Sequence, residues 1–185
     1  MHKWMKRGCV TIGIVGAIIA AGFAYWDYHY PYGWSHCCDK ALGLEFGQYA
    51  EVHDGWFPRG EATPEASLSL LYQQNPLLLD TLRGKTVSES VVRARLESGM
   101  LLTPETCGWH YVEGLRNDDD PQLALFWDKA GLGHNGERLS RGGHYVGFIH
   151  GMSEYITGER WDQFLHEQEQ LLMNLKHAPI DTKVK

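Results

Sequence analysis

An excess of positive charge is missing from this chain. Its 17 lysines and arginines face 23 aspartates and glutamates, for a net charge of −6. A polyanion gains little from a surface of that sign, so no nucleic acid is expected as a partner. Internal repeats and low-complexity tracts are missing too, which excludes a repeat array. The acidic run Asp118-Asp119-Asp120 is too short for a tail and reads as a solvated turn ahead of Pro121. No nucleophile-elbow serine, phosphate loop or dinucleotide fingerprint occurs, and Gly131-Leu132-Gly133 reads only as a turn. The sequence therefore names no reaction. Hydrophobic residues make up 43% of the 185 residues, which is ordinary for a folded domain.

Charge of either sign is absent from residues 9–26. A helix over that run, at about 1.5 Å per residue, is roughly 27 Å long and close to the hydrocarbon thickness of a bilayer. Lys3, Lys6 and Arg7 precede it and Asp27 follows. The positive-inside rule then predicts a single-pass protein of the cytoplasmic (inner) membrane, with its N-terminus in the cytosol and its C-terminal domain outside or periplasmic. The lipid bilayer is the first expected partner. Tyr25, Trp26, Tyr28, Tyr30, Tyr32 and Trp34 crowd the exit side, where amphipathic rings favour the headgroup zone. A cleaved signal peptide competes, because Gly22-Phe23-Ala24 has the small-x-small form of a cleavage site. A buried core helix is the third reading. Lys6-Arg7-Gly8 before Cys9 is too polar for a lipoprotein signal.

The expected organisation is a basic N-terminus over 1–8, a transmembrane helix over 9–26, an aromatic connector over 27–34, an exported α+β domain over 35–178 and a tail over 179–185. Pro31-Tyr32-Gly33 breaks the first helix. Ser35 can cap a second, whose stripe is Cys38, Leu42, Phe46, Tyr49 and Ala50. Thr63-Pro64-Glu65 is a helix start with a capping hydroxyl and proline at the first helical position. Leu77-Leu78-Leu79 reads as a short helix. Thr86-Val87-Ser88-Glu89 has capping-box spacing and predicts a helix to Ser98, with Val91, Val92 and Leu96 inside. From Trp109 onward, short strands are expected over 109–115, 123–127, 145–149 and 153–156, with tight antiparallel connections. A last amphipathic helix carries Trp161, Phe164, Leu165, Leu172 and Leu175 on one side. The fold class is α+β: a transmembrane helix, a helical segment, a sheet of about four antiparallel strands and a C-terminal helix.

His110, His134, His144 and His150 lie on or near the predicted hairpins and form a candidate zinc or copper site. No pair has metalloprotease spacing, and surface or structural roles compete. Otherwise no cofactor is implied. Asp128 with His134, or His150 with Glu154, is a candidate acid–base pair. Cys107 can pair with Cys38 or with Cys37 in an oxidising compartment. That closes a loop of about 70 residues, worth roughly 4 kcal/mol on the chain-entropy model. A strained Cys37–Cys38 bond and free buried thiols are the alternatives. Trp56, Trp109, Trp127 and Trp161 are expected in the core, with a binding cleft as the competing role.

Three stretches carry a resemblance. Arg7-Gly8 precedes an apolar helix. Cys38-Asp39-Lys40-Ala41-Leu42-Gly43-Leu44 leads through Tyr49-Ala50 to Asp54-Gly55-Trp56-Phe57-Pro58. Leu125-Phe126-Trp127-Asp128-Lys129 is followed by His134 and by Val146-Gly147-Phe148-Ile149-His150-Gly151-Met152-Ser153-Glu154-Tyr155-Ile156. Together they resemble type IV pilin-like, or type II secretion pseudopilin-like, proteins of the branch with a C-terminal His…Asp-Gly signature. His134, His150 and Gly151 stand at the signature-like positions. Departures mark a diverged member: Gly13 stands where prepilins carry a glutamate, His150 replaces the signature aspartate, and the gap after His134 is longer. The resemblance implies a pilin-like fold and a non-enzymatic, membrane-anchored interaction protein, with other pilin-like or secretion-system proteins as partners. An anchored metal-binding or hydrolytic domain, or an anchored peptide- or glycan-binding head, is the alternative.

Overall fold

A computed structural model describes residues 2–34 and 39–175, with side chains from residue 12 onward. The chain begins with helix α1 (His2–His29) and continues through α2 (Asp39–Glu51), α3 (Pro64–Gln74), a 3₁₀ turn (Pro76–Leu78), α4 (Leu79–Leu82) and α5 (Glu89–Glu97). Strands β1 (Trp109–Tyr111), β2 (Ala124–Asp128), β3 (His144–Phe148) and β4 (Ser153–Ile156) follow, then α6 (Gly158–Met173). The strands form one antiparallel sheet in the order β1-β2-β3-β4. Each joins its sequence neighbour as expected, but only the β3–β4 connection is tight, while 112–123 and 129–143 form long loops between the other pairs.

The uncharged run lies within α1, which ends at His29 just ahead of Pro31-Tyr32-Gly33. Gly33 takes a positive φ of 80° and its N–H bonds Tyr30 O at 3.0 Å. No helix among the described residues is long and apolar enough to cross a membrane. The described side chains start at Ile12, and the last turns of α1 spend their length on Tyr25, Trp26, Asp27, Tyr28 and His29. This corrects the expected transmembrane helix. The single-pass inner-membrane placement, with the head outside or periplasmic, is corrected with it. Arg138 holds the end of α1 to the rest of the chain. Its backbone N–H bonds His29 O at 2.8 Å, its Nε bonds Tyr28 O at 3.2 Å, and its guanidinium stacks on the Tyr28 ring.

Local chemistry explains the start of α3. Thr63 accepts a hydrogen bond from Ala66 N at 3.1 Å, and Pro64 opens α3. The capping box at Thr86 does not form. The helix starts later, with Ser88 in the cap position and no side-chain cap bond. Only Val92 and Leu96, one turn apart, face inward, while Val91 is 43% exposed.

The sheet is covered on both faces. Helices α2–α5 enclose the main core, where Phe46 meets the rings of Phe57, Tyr111 and Phe126 at 5.9, 5.2 and 5.3 Å. The other face carries a smaller cluster of Ala124, Val146, Phe148, Ile156 and Phe164, against which Trp127, Trp161 and Leu165 pack. A register shift in β2 between Ala124 and Phe126 puts both Leu125 and Phe126 into the main core. Phe126 then lies over Gly147 of β3. A Cβ there would stand 2.2 Å from Phe126 Cε1. From Phe126 the strand alternates normally, so Trp127 joins the smaller cluster and Asp128 turns back toward the main core.

Candidate functional site

The inward turn of Asp128 places a carboxylate where it is only 2% exposed. Lys85, also 2% exposed, meets it. Lys85 Nζ donates to Asp128 Oδ2, and Lys85 N donates to Oδ1 at 3.2 Å. The pair is held by close backbone packing between two glycines. A Cβ on Gly108 would stand 2.4 Å from Arg83 O, and one on Gly84 would stand 2.8 Å from Gly108 Cα. With no side chains there, the turn after α4 lies directly on the segment entering β1. Gly108 N bonds Arg83 O at 3.0 Å, and Lys129 N bonds Gly108 O at 2.8 Å. Lys85 Nζ also lies 5.6 Å from the centre of the Trp109 ring, whose Nε1 donates to Thr81 O at 2.8 Å.

Electrostatics follow from this burial. Desolvation pushes the Asp128 carboxyl up to about 6, against the opposing pull of the Lys85 ammonium, and the charge of Asp39 adds to the upward push. Asp39 is itself buried, at the start of α2, with His134 Nδ1 3.7 Å from its Oδ1. Behind the pair, Cys107 is a free, buried thiol pushed up to about 12 by burial. The expected disulfide is therefore corrected. Cys107 Sγ lies near Leu82 O and Trp109 O inside apolar packing and forms no bridge. The proposed partners Cys37 and Cys38 lie outside the described residues.

No family model matches this chain, and neither a curated protein nor a solved structure matches it. The pilin-like resemblance of the sequence thus gains no support from any known neighbour.

The four histidines go to different places. His144 opens β3, and its Nδ1 donates to Asp128 O at 2.9 Å while its ring stacks near Trp161 at 4.1 Å. His110 lies on the same face of the sheet beside Trp127 at 5.5 Å. Burial lowers the pKa of both, and each sits close enough for His110 to depress His144 further. His134 stands at Asp39, at the start of α2. His150 is exposed, in the β3–β4 turn with Gly151, and its Nδ1 donates to Pro121 O at 2.8 Å. Among the described residues, no group of three or more histidine, cysteine, aspartate or glutamate side chains is placed to hold a metal ion. The suggested pairing of Asp128 with His134 also goes differently: the carboxylate serves Lys85, and His134 faces Asp39. Of these four tryptophans, Trp109 is fully buried, Trp127 and Trp161 pack on the smaller cluster, and the Trp56 ring is met by the guanidinium groups of Arg59 and Arg116.

Lys85 and Asp39 are the site residues that sequence reasoning misses. A signal existed for their partner. Period-two alternation from Phe126 sends Asp128 inward and demands a buried cation or donor. Nothing local says which of 17 basic residues supplies it.

Proposed function

We propose that this chain is a non-enzymatic interaction protein that assembles through α1, with its α+β head turned to partners. The exposure of α1 supports this reading. Ile12 is 73% exposed, Ile18 and Phe23 are 66%, and Ile14, Val15 and Ile19 lie between 49% and 56%. These residues cover about half of the helix surface, and Gly13, Gly16, Ala17, Ala20 and Ala24 occupy the other half, so no side of this stretch is polar, and a helix apolar all round belongs inside other structure. One neighbour covers only one side, so the fitting occupant is a bundle of the same helix from several copies. Nothing lies within 4 Å of the Cβ positions of Gly13, Gly16 and Gly22, which leaves room for close helix approach. Sedimentation and cross-linking of the full chain at rising concentration test the reading. The wild type forms oligomers, and Ile18→Glu shifts them to monomers with an unchanged near-ultraviolet spectrum of the head. A chain that stays monomeric throughout, or whose α1 enters phospholipid vesicles one copy at a time, overturns it.

A groove of 860 Å³ between α6 and the β3–β4 hairpin favours a second reading, a head that holds a peptide. Phe148, Ile156 and Phe164 give it an apolar lining, and His150, Glu154 and Arg160 stand at its rim. Amide NMR shifts on adding apolar peptides should cluster on these residues; shifts confined to other faces would discard this reading.

A further inference from the structure

Lys85–Asp128 is the most enclosed ion pair among the described residues, ahead of the part-buried Lys129–Glu65. Arg93 with Glu89 and Glu97, Arg141 with Glu159, and Arg116 with Asp118 lie at the surface. The Lys85 and Asp128 side chains are 1% and 3% exposed. Leu82 is fully buried and Phe126 and Cys107 are 1% exposed around the same core, so bulk water does not solvate the two charges. In such surroundings a neutral amine and a neutral carboxylic acid compete well with an ammonium and a carboxylate. The carboxyl group is also gripped at both oxygens by one residue, Oδ1 by the Lys85 backbone and Oδ2 by its Nζ. That grip keeps the amine beside the carboxyl carbon and converts an encounter into an intramolecular step. Trp109 closes the floor beneath Nζ.

We propose that Lys85 and Asp128 join covalently as an intramolecular amide between Lys85 Nζ and Asp128 Cγ. The ammonium first passes one proton to the carboxylate, which leaves an amine and a carboxylic acid. The amine lone pair attacks Cγ, and the Nζ–Cγ bond forms. The bond from Cγ to the hydroxyl oxygen breaks, and a second amine proton goes to that hydroxyl, which departs as water. One water is lost, nothing is oxidised or reduced, and no co-reactant is needed. The negative charge of Asp39 favours the first proton transfer, because it raises the proton affinity of Asp128. Exclusion of water shields the finished amide from hydrolysis. The link ties the turn after α4 to the end of β2, across the two glycines that let these segments touch. It forms within a single copy and does not depend on what α1 packs against.

Mass spectrometry of the purified full chain tests this directly. The wild type should be lighter by one water than its sequence requires. Tryptic digestion should lose the cleavage after Lys85 and yield one branched peptide that joins the Lys85 and Asp128 stretches. Lys85→Met and Asp128→Ala should each restore the full mass and two separate peptides. The wild type alone decides the matter, so neither variant has to fold. Recovery of the Lys85 and Asp128 peptides separately and in full from folded wild-type protein overturns the proposal. So does a water loss that maps elsewhere, such as a succinimide at Asp54-Gly55.

Discussion

Gln168 offers a quantitative test of how α6 is attached. It is 8% exposed, its Oε1 accepts from Ala124 N at 2.8 Å, and its Nε2 donates to Gln122 O at 3.1 Å. Ile149 N bonds Leu123 O at 3.1 Å, so Ala124 opposite Phe148 occupies a ladder position that exchanges no hydrogen bonds. The Ala124 N–H therefore turns away from β3, and Gln168 meets it. Gln168→Ala leaves a buried N–H unpaired, which costs about 1–3 kcal/mol. Rotamer freedom regained by removing the glutamine side chain offsets a part of that. The expected net loss is about 2 kcal/mol, or roughly 4–8 °C in Tm for a chain of this size. Gln168→Met keeps the volume but not the bonds, and its loss should be similar. Urea unfolding measures the loss, and amide hydrogen exchange at Ala124 locates it. If Gln168→Met unfolds within about 0.5 kcal/mol of the wild type and the Ala124 amide stays protected, the glutamine clamp is refuted.

Gly147→Ala should drive a methyl group into the Phe126 ring and cost about 1–3 kcal/mol in urea unfolding, with partial recovery when Phe126→Leu is added. Unchanged stability of Gly147→Ala alone would contradict that packing. Cys107 should resist thiol reagents in the folded chain and react after denaturation, since burial pushes its thiol up to about 12; peptide mapping of the label checks this. His110 and His144 should titrate below the ordinary 6.5 in an NMR series, because burial disfavours their charged forms. The sign follows: both stay neutral when folded, so their contribution to stability is present above about 6.5 and is lost as the pH falls below it. A titration of either ring above 6.5 would refute the burial of these imidazoles.

Much of the architecture was legible because it rests on local chemistry. Thr63-Pro64 opens a helix wherever it stands, and Pro31-Tyr32-Gly33 stops one. Alternating aromatic and β-branched residues between glycines make antiparallel strands, and all four strands occur near their expected places. The misreadings have physical causes as well. The Thr86 capping box was pre-empted because the turn at Gly84 is pressed against Gly108, which delays α5 to Glu89. The histidines looked like one site because they are close in sequence to the hairpins. The pleat and the turns then sent His134 and His150 away from His110 and His144. The run at 9–26 reads as apolar in isolation, yet the described part of α1 closes on aromatic and polar residues.

The sequence by itself determined where most helices and strands begin and that the strands pair with their neighbours, whereas the inward turn of Asp128 came from the register shift in β2. Those starts and pairings depend on backbone preferences and side-chain periods that act over a few residues. Only the tertiary structure decided that Lys85 is the cation enclosed with Asp128, that Cys107 stays a solitary thiol, and that α1 keeps its apolar surface outward. Burial of a charge is set by which distant segments close over it. That closure comes from the contact of Gly84 with Gly108 and from the turn of β2 at its register shift.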